Sequence, residues 1–367
     1  MEEKYAILQG LDKVPMHALL DLIHQRGFNA IRVPLAVTST LSDPPASMFG
    51  GGVSEKNPEV HNLSYLAVLD VLIAQAARRD LLILLDMHRL SAGDRNNPLW
   101  QDGSVPEAHL IGAWQRLAQR HCHSSWNVMG ADVFNEPWAA SWGFGGASED
   151  WAAAAERLAA AVSSACPRWL IFVEGVSHTT AAGVPAAAGQ SELGHNWASN
   201  LEGVRTRPLS LAHHPHKLVL SPHIYGPSVA PQPYFADARF PANLPPIWET
   251  HFGFVTSEAK GCVVVGEWGG WFTGSDAAWQ KAFGAYLAQK GIGSFYWALN
   301  PTSRDTGGLV LSDWTTPNEL KLALLDSMPV TPIVAGVAQA SAAGGERHKG
   351  PHEPHEYEKH AAAHGKI

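Results

Sequence analysis

From Met16 to Met328 the chain alternates segments of helical period with short apolar runs rich in β-branched residues. This alternation constrains the fold more than any other feature, because parallel strands joined by crossover helices produce it. The strand candidates are Ala30–Leu35, Leu81–His88, Val128–Asn135, Trp169–Glu174, Leu218–Tyr225, Val263–Glu267 and Ser294–Leu299. Helical stretches fall between them at Pro15–Gln25, Leu63–Arg79, His109–Cys122, Asp150–Ala165 and Ala277–Lys290. The predicted fold class is α/β, a (β/α)8 TIM barrel, with seven strands recognisable and a clear first strand apparently lacking. That strand would precede the Pro15 helix, where Tyr5-Ala6-Ile7-Leu8 is the only apolar run. Four residues followed closely by Gly10 predict partial pairing at best.

A chain of 367 residues has room for one such barrel, which takes ~250 residues before insertions. Residues 1–329 are read as a catalytic barrel. Beyond them the composition shifts to Ala, Gly, Pro and His without periodicity, so 330–367 is read as a disordered low-complexity tail. Its histidines could hold a transition metal adventitiously, but a solvated tail explains the same composition.

The formal charge of −8 and the absence of a Lys/Arg block leave no electrostatic footprint for nucleic acid or an anionic membrane. A neutral or weakly polar substrate fits better, and a monomer is expected. No run approaches the ~20 apolar residues of a membrane span. Met1-Glu2-Glu3-Lys4 lacks the opening of a signal peptide. Cys122, Cys166 and Cys262 allow at most one intramolecular disulfide and show no metal-ligand spacing. Among the 14 tryptophans, Trp100, Trp138, Trp142, Trp197, Trp271 and Trp314 stand beside turn residues, and some are expected to present exposed ring faces.

Polar residues gather at the carboxyl ends of the strand candidates, where barrel enzymes build their sites. In chain order the runs deliver Arg32, His88, Asn135 and Glu136, His223 and Tyr225, Glu267 and Trp297. Glu136 follows an apolar run, and Pro137 forces the chain out of the strand just after it. Glu267 ends Cys262-Val263-Val264-Val265-Gly266 in the same way, with glycines permitting a tight turn and close substrate approach. Counting the missing strand first, the two glutamates end the fourth and seventh strands, across the barrel from each other. Such a pair can flank a glycosidic bond, and a separation of ~5–5.5 Å dictates a covalent, retaining mechanism. Acetal hydrolysis needs one protonated acid and one ionised carboxylate. Arg32 and Tyr225 are expected to hold Glu267 ionised as nucleophile, while Glu136, with Asn135 beside it and no cation foreseen nearby, serves as acid/base. His88 and His223 would orient hydroxyls or shuttle protons. Trp297 would be the platform under a sugar ring, with Trp100, Trp142, Trp197 and Trp271 extending the cleft. Either glutamate alone is more often a cap or surface residue; the convergence of eight residues on strand ends carries the reading.

In these residues the chain resembles the family 5 glycoside hydrolases, in particular bacterial-type endo-β-1,4-glucanases. The resemblance runs from about Met16 to Met328 and rests on Arg32 in Ile31–Leu35, His88 in Asp86–Arg89, Asn135-Glu136-Pro137, His223-Ile224-Tyr225, Gly266-Glu267 and Trp297 in Tyr296–Pro301. The segments Pro231–Phe235 and Asp305–Leu309 also look like that branch. The resemblance implies retention of configuration, no metal or organic cofactor, a polysaccharide or oligosaccharide substrate in an open cleft, and secretion. The first strand and secretion signal usual in the family are not recognisable, which suggests a truncated chain or an incomplete gene model. β-Mannan or another β-glycan remains an alternative substrate, and a catalytically weak carbohydrate-binding barrel an alternative role. A metal-dependent barrel is disfavoured because His88 and His223 lack ligand-spaced partners in the sequence.

Overall fold

The computed structural model describes residues 8–45, 55–93, 97–143, 146–177, 197–211, 214–330 and 333. The described residues up to Val330 form one compact unit. Of the proposed first strand, Tyr5 to Ile7 lie outside the described residues, as does nearly all of the tail beyond 330.

Within the unit the strands are β1 (Ala30–Ala36), β2 (Leu82–Arg89), β3 (Val128–Asp132), β4 (Leu170–Val173), β5 (Leu218–Leu220), β6 (His223–Tyr225), β7 (Cys262–Gly269) and β8 (Gly293–Tyr296). They pair in parallel in the order β1-β2-β3-β4-β5-β7, with β6 and β8 also on β7. β5 and β6 are two pieces of a single barrel strand. Ser221 and Pro222 interrupt it, Pro222 having no N–H for the ladder, yet both pieces stay on β7, Val219 opposite Cys262 and His223 opposite Glu267. The result is a nearly closed (β/α)8 TIM barrel.

The helices are α1 (Met16–Gln25), α2 (Val37–Ser42), α3 (Tyr65–Ala77), α4 (Glu107–His121), α5 (Trp151–Ala165), α6 (Leu244–Trp248), α7 (Phe254–Ser257), α8 (Gly274–Lys290) and α9 (Glu319–Asp326), with a π turn at Glu249–Gly253 joining α6 to α7. Side chains set several of their ends. Ser64 accepts from the Ala67 N–H and Asp150 from the Ala153 N–H, satisfying donors that a first turn leaves open. Gly291 closes α8 in the left-handed conformation at φ 64°. None of the described helices is long and apolar enough to cross a membrane.

Period-2 alternation divides the strands between two cores. Outward residues such as Ile83, Leu85, Ile171, Val173, Val263 and Val265 pack against the helices. Inside the barrel, Leu84, Phe172 and Val219 form an apolar layer with Met129, Leu170, Val264 and Phe295. Further along the same inward positions the side chains become charged: Asp86 follows Leu84 by two, and Glu174 follows Phe172 by two. Large helix tryptophans brace the strand ends. The Trp114 indole donates to the Val133 carbonyl and Trp151 to the Glu174 carbonyl, both at 2.9 Å. At the opposite end, Cys122 and Cys166 form a disulfide that joins the ends of α4 and α5.

Candidate active site

Arg32 is the hub of the charged layer. Its Nε donates to Asp132 at 2.8 Å, and its two terminal nitrogens reach Glu267 Oε1 at 2.5 Å, Asn135 Oδ1 at 3.0 Å, Asp86 at 3.1 Å and Glu174 at 3.3 Å. Strand register produces this convergence, since Asp86 lies directly opposite Asp132, and Pro34, two residues beyond Arg32 in the strand, lies opposite Asp86. Four carboxylates around one guanidinium in a buried layer would be badly overcharged. Burial relieves this by pushing Asp86 and Asp132 up to about 6, against the pull of Arg32, and Glu174 well above the usual carboxylate range.

Glu267 behaves differently although it too is buried. Burial favours its neutral form, but the charges of His223 and Arg32 and the Tyr225 hydroxyl, which donates to Oε2 at 2.6 Å, outweigh that and hold it below its ordinary value. Burial raises the Tyr225 phenol well above its usual range, and the negative Glu267 adds to the effect, so it remains a donor. Glu136 sits at φ 48°, in the left-handed region that non-glycine residues rarely enter. Its backbone N–H donates to Glu174 Oε2 at 2.8 Å, so the buried Glu174 fixes the turn that presents it.

His223 stands between the two glutamates. Nδ1 is 2.9 Å from Glu136 Oε1 and 3.6 Å from Glu267 Oε2, while Nε2 is 3.0 Å from Glu174. Burial alone would neutralise the ring, but Glu174, Glu267 and the hydrogen bond to Glu136 raise it well above the usual histidine range. The expectation of no cation near Glu136 is therefore corrected: the imidazolium of His223 supplies one. Gly266 makes room for this ring, since a Cβ there would lie 2.5 Å from Ser221 Oγ and 2.7 Å from His223 Nε2. That close approach to His223 accounts for this glycine of the Gly266–Gly270 segment.

His88 has the opposite character. Burial drives it well below the usual range, so the ring is neutral. Nδ1 lies 2.7 Å from Asp86, which makes Nδ1 the protonated nitrogen and Nε2 an acceptor. The ring stacks on Trp297, centroids 5.3 Å apart and planes 2° from parallel. Asn135 keeps a buried Nδ2 without a hydrogen-bond partner among the described residues.

Eight sequence-predicted residues thus meet at one end of the barrel. The outer tryptophans divide. Trp271 is 49% exposed, and Trp197 is partly buried. Trp100 and Trp142 are fully buried, which corrects their assignment to the cleft. The Trp100 indole donates to Glu107 and its ring packs on Trp151, while the Trp142 indole donates to the Arg207 carbonyl. Trp100 thus braces its loop to α4, and Trp142 joins two loops. The lack of ligand-spaced partners expected for His223 is also corrected. Single donor atoms of Asp132, Glu174 and His223 lie within 4.8 Å of one another, as do those of Glu136, His223 and Glu267. In the first group Arg32 already meets the carboxylate charge.

Sequence reasoning gave Asp86, Asp132 and Glu174 no role. Each is a charge that directly follows an apolar run of a strand, which is the signal that could have marked them.

The family profile described as Cellulase (glycosyl hydrolase family 5) matches residues 6–303. The chain belongs to glycosyl hydrolase family 5. Among family relatives, it is 38% identical over 346 residues to an endoglucanase of Paenibacillus polymyxa, covering 92% of this chain and 82% of that one. It is 39% identical over 309 residues to the major extracellular endoglucanase of Xanthomonas campestris pv. campestris, covering 82% of this chain and 60% of the relative, so it spans less than two thirds of that protein. The hyperthermophilic endocellulase of the archaeon Pyrococcus horikoshii superposes with a TM-score of 0.81 at 35% identity, covering 88% of this family 5 chain and 89% of the other. That endocellulase has also been solved in complex with cellotetraose.

Proposed function

We propose that this family 5 chain, an endo-β-1,4-glucanase, cleaves cellulose or a related β-glucan by double displacement, with Glu267 as nucleophile and Glu136 as general acid/base. One observation carries the reading: an oxygen of the Glu136 carboxyl group lies within 4.8 Å of an oxygen of the Glu267 carboxyl group. That closeness agrees with the ~5–5.5 Å carboxyl separation of retaining enzymes rather than the wider ~6.5–9.5 Å gap of inverting ones.

The roles follow from the surroundings. Glu267 has Arg32 on one oxygen and Tyr225 on the other, which favours the ionised form needed to attack the anomeric carbon. Glu136 shares a hydrogen bond with His223, a group able to exchange a proton with it as it turns from acid to base. In the first step Glu267 bonds to the anomeric carbon while Glu136 gives its proton to the departing oxygen. In the second, Glu136 takes a proton from water, which displaces Glu267. The unpartnered Asn135 Nδ2 can donate to a sugar hydroxyl and His88 Nε2 can accept from one. Trp297, its ring fixed against His88, offers an apolar face to a pyranose. The Cys122–Cys166 disulfide suits a protein that works outside the reducing cytosol, as the extracellular Xanthomonas relative does.

Release of reducing sugar from carboxymethyl cellulose, lichenan, mannan and xylan tests the substrate class. The glucans should be cleaved, and Glu267→Ala and Glu136→Ala should each lower kcat by at least about 10²-fold. Glu136→Ala should retain more activity on aryl cellobiosides, whose leaving group needs no proton. Mannan as the only substrate cleaved, or wild-type rates in either variant, would overturn the proposal.

A further inference from the structure

The hairpin that follows β8 carries Trp297 at its start and returns alongside itself. The Leu309 N–H donates to the Ala298 carbonyl at 2.9 Å and the Val310 N–H to that of Leu299 at 3.2 Å. Its tip, Ser303 to Gly308, is held by atoms that the reaction above does not use. Lys321 is a buried cation whose Nζ donates to the Thr306 carbonyl at 2.6 Å, and the Asn318 amide donates to that of Gly308 at 3.3 Å. The Thr306 hydroxyl reaches that of Ser303 at 2.7 Å. Burying an ammonium group costs stability unless it is paired, and here the Thr306 carbonyl and the Tyr296 ring, 6.0 Å from Nζ, are its partners.

What the tip supports is Trp271. Gly307, at φ 61°, is buried, and a Cβ there would lie 2.8 Å from Trp271 Cζ3 and 3.1 Å from Cε3. The indole thus lies against a bare α-carbon, and the residue is still 49% exposed. An aromatic ring backed on one side and open on the other is the form of a sugar platform. Trp271 follows Glu267 by four residues, and the hairpin that backs it also holds Trp297, so it stands at the same mouth.

We infer that the Ser303–Gly308 tip is the support of an outer glucosyl subsite whose platform is Trp271, with Gly307 and Lys321 as its positioning residues. This rests on the β-glucanase reading and assigns Asp305–Leu309 a task within it. The tip admits only glycine at 307, both because φ is positive and because a methyl group would displace the indole.

The test is a double-mutant cycle with cello-oligosaccharides of three and five units. Trp271→Ala should raise KM for cellopentaose about tenfold, with a smaller rise for cellotriose and the penalty falling on KM rather than kcat. Gly307→Ala should act in the same direction, and should add nothing once Trp271 is already alanine. Lys321→Met should follow Gly307→Ala. Equal penalties for both oligosaccharides, or an undiminished Gly307→Ala effect in the Trp271→Ala background, would overturn the proposal. If Gly307→Ala does not fold, Trp271→Ala decides alone, and an unchanged KM for cellopentaose overturns it. A wild-type chain that does not cleave cellopentaose would sink the catalytic reading instead. Calorimetric titration of cellopentaose into wild type and Trp271→Ala then decides the subsite, equal affinities counting against it.

Discussion

At the scale of single residues, two glutamates of the same kind are separated in character by what donates to them. Arg32 and Tyr225 occupy both oxygens of Glu267, whereas Glu136 shares its bond with His223. Because Glu267 is held below its ordinary value, its reactive ionised form is present above pH 4.5 and disappears only as pH falls through that lowered value. Tyr225→Phe removes one donor and raises Glu267, so the acid limb of the kcat/KM profile should move to higher pH. Loss of a hydrogen bond to a charged group should also cost about tenfold in kcat/KM at the optimum. An unmoved acid limb would mean that Tyr225 does not tune Glu267. Glu136 and Glu267 are legible in the sequence because each ends an apolar run beside a residue that breaks the strand. Asp132, only four residues before Glu136, is not. Its importance depends on lying opposite Asp86, and register between strands is a property of the folded sheet.

Among the elements, strands and helices are legible where period and length are clear, with ends shifted by a few residues. β3 stops at Asp132, although the apolar run continues to Phe134, because the chain turns out there to deliver Glu136. The Leu218–Tyr225 run divides at Pro222, which has no N–H to donate to the ladder, although its carbonyl still accepts from the Gly266 N–H at 3.1 Å. The tryptophans were misjudged for a different reason. A turn residue beside Trp100 or Trp142 says where the backbone bends, but the long loops over the barrel are thick enough to bury an indole beneath them. The Cys122–Cys166 bridge lies at the end of the barrel away from the glutamates and closes a loop with sequence separation 44. In the chain-entropy picture a closure of that length contributes ~4 kcal/mol through the unfolded state. The Cys122→Ser, Cys166→Ser double variant should therefore melt several degrees lower while keeping its kcat. An unchanged Tm would show that the bridge adds nothing to stability.

For the molecule as a whole, the decisive quantity is a distance that no single element sets. Glu136 arrives from the end of β3 and Glu267 from β7, with β4 and the divided β5 and β6 strand between them. The barrel circumference, the inward charged layer and the His223 ring together bring one oxygen of each carboxyl group within 4.8 Å of the other. A closed sheet fixes such spacing because strand number, tilt and stagger are linked. The stereochemistry of hydrolysis reads that spacing out directly. Proton NMR during the first turnovers on a cello-oligosaccharide resolves the anomer released before mutarotation mixes the two. A carboxylate pair this close predicts that the β-anomer appears first and the α-anomer grows in later, whereas initial release of the α-anomer would contradict Glu267 as a covalent nucleophile.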